Sequence, residues 1–415
     1  MDNNSEYNLY TEKITNKGKT KKRVKRFLLY IFMTVFLSTI AAVVFFEVNG
    51  YLKKISTDEK TKEKVSIIIP DESKSVDTTS TASPDSTSQS EVETVYVNEN
   101  NEILQVAKQS YGSLVKVSAY INTSAVFQTL YEKVCMGAII IGEDRKFYIL
   151  CDFGTVDKAD NIVIRTYNGI EKQATLLAGD QTTGIAILSM ELSEEEYNRN
   201  QNSDFNKTRV FEIANSNGVM VDDTVVAVGD ICNGEFTYNV GRITNNTNSE
   251  YGTDSMYEIL NTSITCGMGY NGVLLNNKGQ VIGVVTSKYE SKYGKMLVSA
   301  YSINSIKNVI NCLSNGKELK TIGIEGREVT SALSKAYNMP RGIYVNSVSF
   351  NSPAFKGNIQ PGDIIKSVNS EAVYSFDRFQ ELILEADENE SLVISLAKRD
   401  NNGYKDVEVK LSFGN

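Results

Sequence analysis

The sequence predicts a mainly β chain with one N-terminal transmembrane helix. Three observations lead there. A run of twenty uncharged residues, FLLYIFMTVFLSTIAAVVFF, follows a basic end. From about residue 102, short β-rich runs recur with Gly, Asn and Asp between them, the pattern of a barrel or sandwich. Beyond residue 320 a smaller unit mixes strands with one amphipathic helix, an α+β pattern.

Each element has its own reason. Residues 1–26 hold eight Lys/Arg against three acids and read as a basic tail that stays in the cytoplasm. Residues 27–47 are long enough to cross a bilayer as a helix and longer than the apolar part of a cleaved signal peptide. Residues 48–100 are rich in Ser, Thr and acids and read as a disordered tether to the membrane, interrupted by the apolar island VSIIIP (Val65–Pro70). That island reads as a stray strand or a membrane-surface contact. Residues 101–318 carry the β runs, among them LVKVSAYI, MGAIIIG, FYILC, NIVIRTY, GIAILSM, TVVAVG, GVLLN and QVIGVV. They close on NSIKNVINCLSNG, where Ile306, Val309, Ile310 and Leu313 fall at helical spacing and Gly316 supplies a stop. Residues 319–415 hold GIYVNSVSF, a helix over SFDRFQELILEA with Phe376, Phe379, Leu382 and Ile383 on one face, and two closing strands.

Composition excludes several classes. The net charge of −8 argues against nucleic acid as a partner. The chain has no histidine, which removes the commonest general base and catalytic metal ligand; no metal and no cofactor are expected. Five cysteines, Cys135, Cys151, Cys232, Cys266 and Cys312, are odd in number and hold no CxxC pair. Cys135 and Cys151 flank one hairpin, which leaves a disulfide open against two buried thiols.

GMGYNG, Gly267–Gly272, matches the G-x-G-x-x-G of dinucleotide loops. Such a loop must open a helix whose N-terminus holds the pyrophosphate. Here VLLNNKGQVIGVV follows, which reads as strand, turn and strand. The glycines therefore read as tight barrel backbone.

The order of pieces resembles the membrane-anchored HtrA-type serine proteases, a chymotrypsin-like double β-barrel followed by a PDZ domain, over roughly residues 102–413. FYILCDFGTV resembles the segment that carries the family's histidine base. LLAGDQTTGIAILSM resembles the segment that carries its orienting aspartate. VDDTVVAVGD resembles a following family loop, and GVLLNNKGQVIGVV resembles the hairpin behind the nucleophile. NSPAFKGNIQPGDIIKSVNSEAV resembles the PDZ core, and TIGIEG its carboxylate-binding loop.

Carried over residue by residue, the resemblance puts Gly154 at the base, Gly184 at the acid and Tyr270 or Asn271 at the nucleophile. All three roles are lost, which implies a pseudoprotease. Rescue by the Cys266 thiol, or by Ser263 with Lys278 or Lys288, lacks an activating neighbour in sequence. What the resemblance leaves is peptide binding. Ile322, Gly323 and Ile324 would take the carboxylate of a peptide or protein C-terminus, and Phe379 and Ile383 would wall the groove. The expected protein is thus a membrane-anchored, extracytoplasmic scaffold, sensor or holdase. The alternatives are a serine endopeptidase of the same family, or a structural envelope protein that self-assembles. A homotrimer is implied by the resemblance alone.

Overall fold

The computed structural model describes residues 64–70, 102–122, 130–202, 207–293, 296–387, 389–401 and 403–413. The basic tail, the expected transmembrane helix over 27–47 and most of the tether lie outside the described residues. Among the described residues no helix is long and apolar enough to cross a membrane.

Two closed six-stranded barrels come first. β1 (Leu114–Asn122), β2 (Leu130–Glu143), β3 (Lys146–Asp152), β4 (Asn161–Thr166), β5 (Glu171–Asp180) and β6 (Ile185–Glu191) close in the order β1-β2-β3-β6-β5-β4. β7 (Thr224–Asp230), β8 (Thr237–Gly252), β9 (Ser255–Thr265), β10 (Asn271–Leu275), β11 (Val281–Thr286) and β12 (Leu297–Ser302) close in the order β10-β11-β12-β9-β8-β7. All pairings inside them are antiparallel.

The strands follow the period-two rule, with branched side chains pointing inward. Ile162, Ile164 and Thr166 of β4 are buried and alternate with less buried neighbours. β11 is buried along its whole length, because it packs on the barrel core on one face and on the second layer on the other. Val115, Val117, Ile139, Ile149, Ile164 and Leu188 fill the first barrel. Val225, Ala227, Leu260, Tyr270, Leu274 and Ile282 fill the second. A third apolar cluster, with Met136, Ile140, Val228, Val273 and Val284, seals one barrel to the other.

The expected closing helix spans Ile303–Ser314, and Ile306, Val309, Ile310 and Leu313 are fully buried. The VSIIIP island belongs to it. Asn311 Oδ1 accepts from the Ile67 N–H at 2.9 Å, and Asn315 accepts from Val65 N–H and donates to Val65 C=O. Val65 and Ile67 are buried in the inter-barrel cluster. The island is not a strand: side-chain amides satisfy the backbone at Val65 and Ile67, the barrel takes those two side chains, and Ile68 is exposed. The sequence patterns also pass over several short helices, among them those at 102–110, Glu194–Gln201 and Ser331–Tyr337. Glu194–Gln201 is held by a capping box from Ser193 and Glu196 instead of an apolar stripe.

The C-terminal sheet is built from β13 (Ile324–Val329), β14 (Gly342–Val348), β15 (Ile364–Val368), β16 (Glu371–Ala372), β17 (Leu392–Asp400) and β18 (Gly403–Leu411), in the order β13-β14-β15-β17-β18 with β16 on β15. Its helix spans Phe376–Glu385 and buries Phe376, Phe379, Leu382 and Ile383 on the sheet. Barrels and C-terminal sheet lie in one compact unit.

Candidate functional site

A cleft of about 380 Å³ opens between the barrels, and Gly154, Gly184, Tyr270 and Asn271 all line it. The four positions singled out from the sequence therefore meet in space. Phe153 N–H donates to Gly184 C=O at 2.8 Å and ties the expected base segment directly to the expected acid segment. The remaining walls come from β2 and β3 on one side and β11 and β12 on the other, with Cys151, Asp152, Thr183, Thr286, Lys288 and Tyr301 among the lining side chains.

The cleft's polar groups are engaged in holding backbone. Asp152 caps the helix Phe153–Val156, accepting from Thr155 N–H at 2.8 Å and Thr155 Oγ1 at 2.9 Å. Asp180 accepts from the N–H groups of Thr182 and Thr183 and from Thr183 Oγ1. Tyr270 is 2 % exposed and turns into the second barrel, where its hydroxyl reaches Thr286 C=O at 3.2 Å and Leu297 C=O at 3.1 Å. Asn271 turns the other way: its Oδ1 accepts from Met136 N–H of the first barrel at 2.8 Å. Lys288 donates to Thr182 C=O. The two residues at the nucleophile position are thus a core phenol and an inter-barrel strut.

The rescue candidates do not assemble. Cys266 is buried in the second-barrel core. Ser263 is exposed on β9, and its hydroxyl accepts from Arg242 N–H. Lys278 is exposed in the β10–β11 turn, and Lys288 reaches across to the first barrel. Of the two readings left open for Cys135 and Cys151, a disulfide or two buried thiols, the structure has the second. Both are free, buried thiols, and the hydrogen bond that the Cys151 thiol makes to Cys135, together with burial, pushes the Cys151 thiol well up. A thiol held protonated is a poor nucleophile.

The second site is the loop before β13. The N–H groups of Ile322, Gly323 and Ile324 all donate to one carboxylate, that of Asp254, with Gly323 at 2.9 Å on Oδ2 and Ile324 at 2.9 Å on Oδ1. Gly323 is required here: at φ +87 a Cβ would lie 2.3 Å from the Ser352 Cβ. Phe379 and Ile383 are fully buried with Ile322 and Ile324 in the core beneath the loop. Asp254 was not legible in the sequence. It sits in the two-residue β8–β9 turn, nearly seventy residues before the loop it fills, and YGTDS carries only a turn signal.

Comparison with known proteins gives the class. Residues 135–284 match a family model described as a trypsin-like peptidase domain, and residues 320–411 match one described as a PDZ domain. The chain therefore carries a trypsin-like peptidase domain followed by a PDZ domain. It is 27% identical over 282 residues to the periplasmic pH-dependent serine endoprotease DegQ of Escherichia coli (strain K12), covering 66% of this chain and 59% of that one. It is 26% identical over 284 residues to a probable periplasmic serine protease do/HhoA-like of Haemophilus influenzae, covering 66% and 58%. The chain spans about half the length of the curated relatives it matches. In fold it is similar to the HtrA-type protease AlgW with tripeptide, at TM-score 0.54 and 17% identity over 75% of this chain and 96% of that one.

Proposed function

We propose that this chain is a membrane-anchored, extracytoplasmic HtrA-type pseudoprotease that binds the free C-termini of peptides or proteins through its PDZ domain. The observation that carries this reading is the convergence of the Ile322, Gly323 and Ile324 N–H groups on a single carboxylate. Charge-assisted bonds from three backbone donors are how such modules take a terminal carboxylate. The loss of proteolysis is supported by the cleft. Glycine stands at both the base and acid positions, the chain has no histidine, and Tyr270 and Asn271 are committed to core and inter-barrel contacts. Losing one member of such a triad typically costs about 10⁴-fold or more. Serine endopeptidase activity is the second reading, favoured by the names of the relatives. Anchoring through residues 27–47 with a cytoplasmic N-terminus, and self-association into a trimer, are proposals that accompany the first reading.

The test is titration of the full chain with a pool of fluorescein-labelled random hexapeptides that end in a free carboxylate, beside the same pool amidated at its C-terminus. The reading expects binding of the free acid and loss of it on amidation. Equal binding of both pools refutes it.

A further inference from the structure

The loop that would receive a ligand is occupied by the chain itself. β8 and β9 form a long hairpin whose tip, Tyr251–Ser255, reaches the C-terminal sheet. Asp254 adopts φ +52 there, a left-handed conformation that Asp tolerates better than most residues, and its side chain is only 2 % exposed. Its carboxylate takes the three loop N–H groups, and its own N–H returns to Ile324 C=O at 2.7 Å. That is the bonding a peptide's last residue makes when it joins the edge of β13: a carboxylate on the loop and a backbone bond to the first residue of the strand.

The rest of the tip follows the same groove. The Tyr251 ring lies between the Arg327 guanidinium of β13, at 5.1 Å, and the Phe376 ring at the head of the groove helix, at 6.4 Å. Met256 packs on the apolar cluster that holds Ile322, Ile324 and Phe379. Other contacts join barrel to PDZ without the tip: Asn308 Nδ2 donates to Asp377 C=O at 2.9 Å, and Gln380 Nε2 to the Tyr257 hydroxyl at 3.5 Å. The tip can therefore leave while the domains stay joined. Burial pushes the Asp254 carboxyl up to about 6 even though three N–H donors pull it down, so the contact holds a group that desolvation opposes.

We propose that the β8–β9 tip is an internal ligand that closes the PDZ groove, with Asp254 in the place of a terminal carboxylate, so that a C-terminal peptide binds only by displacing it. The proposal rests on the reading of Ile322–Ile324 as a carboxylate-binding loop. Apparent affinity falls by the fraction of molecules whose site is open, so removing the internal carboxylate raises it.

The experiment compares the full chain with Asp254→Ala and with Asp254→Asn, which keeps size and one acceptor oxygen but no charge; thermal unfolding verifies that each variant is folded. The probes are the free-acid and amidated hexapeptide pools. The expected result is a gain of at least about tenfold in free-acid binding for Asp254→Ala, as for a site closed in about nine molecules of ten, a smaller gain for Asp254→Asn, and no gain for the amide. Amide hydrogen exchange at Ile322–Ile324 should quicken in Asp254→Ala and slow again when the free-acid pool is added. If wild type and both variants bind the free acid equally and prefer it to the amide, the loop reading stands and the closure is overturned. If neither wild type nor variant distinguishes acid from amide, the loop reading falls and the closure falls with it.

Discussion

Gly272→Ala separates barrel architecture from a vestigial nucleophile loop as the reason for GMGYNG. Gly272 of β10 pairs with Gly229 of β7, and both have φ +146. A Cβ on Gly272 would stand 2.0 Å from Val228 O. Ordinary C···O contacts begin near about 3.3 Å, so the two strands would have to part by about 1.3 Å at that point. A side chain forced into a glycine-only conformation costs roughly 1–3 kcal/mol, and overpacking a filled core costs roughly another 1–3 kcal/mol. The expected loss is about 2–6 kcal/mol, which at roughly 2–4 °C per kcal/mol lowers Tm by about 4–24 °C. Gly269→Ala is the control. Gly269 has φ +68 but no atom within 4 Å of a built Cβ, so it should cost only about 1–2 kcal/mol. Thermal and urea unfolding of both variants decide the matter. If Gly272→Ala destabilises no more than Gly269→Ala, close strand approach is not what holds the glycine there.

Asn271→Ala strips the inter-barrel acceptor from the partly buried Met136 N–H and should cost about 1–2 kcal/mol, read by urea unfolding. Burial, with the negative charges of Glu258, Glu328 and Glu381, pushes the Asp377 carboxyl up to about 6. A raised carboxyl contributes stability that is full below about pH 4 and lost as pH rises through about 6; because Asp377 keeps an exposed surface and solvent screens the neighbouring charges, the loss should be about 1 kcal/mol or less. Tm of the wild type should therefore fall relative to Asp377→Asn between about pH 4 and pH 7, and parallel pH curves would contradict this. Under native conditions iodoacetamide should label exposed Cys232 first and the protonated, buried Cys151 last, as followed by mass spectrometry.

Local pattern made much of this molecule legible. Ile306, Val309, Ile310 and Leu313 gave a helix face that is fully buried, and branched runs such as VIGVVT gave a strand buried on both sides. Gly154, Gly184, Tyr270 and Asn271 were legible because they sit within short segments that resemble those of HtrA-type proteases, and they do share one cleft. What escaped depends on contacts between distant parts of the chain. VSIIIP reads as a strand or a membrane-surface contact, because its partners, the amides of Asn311 and Asn315, lie about 250 residues away. Tyr270 and Asn271 looked equivalent, yet strand geometry sends one into a core and the other across to the opposite barrel. Asp254 in YGTDS had the signature of any turn aspartate, because nothing local records which loop the tip of a hairpin will reach.

In the pseudoprotease proposed above, the cleft does not cut peptide bonds. The most direct test is prolonged incubation of the purified full chain with casein and with an unfolded reporter protein. The expected result is no turnover above buffer. Turnover that survives further purification and disappears in Asn271→Ala or Tyr270→Phe would contradict it.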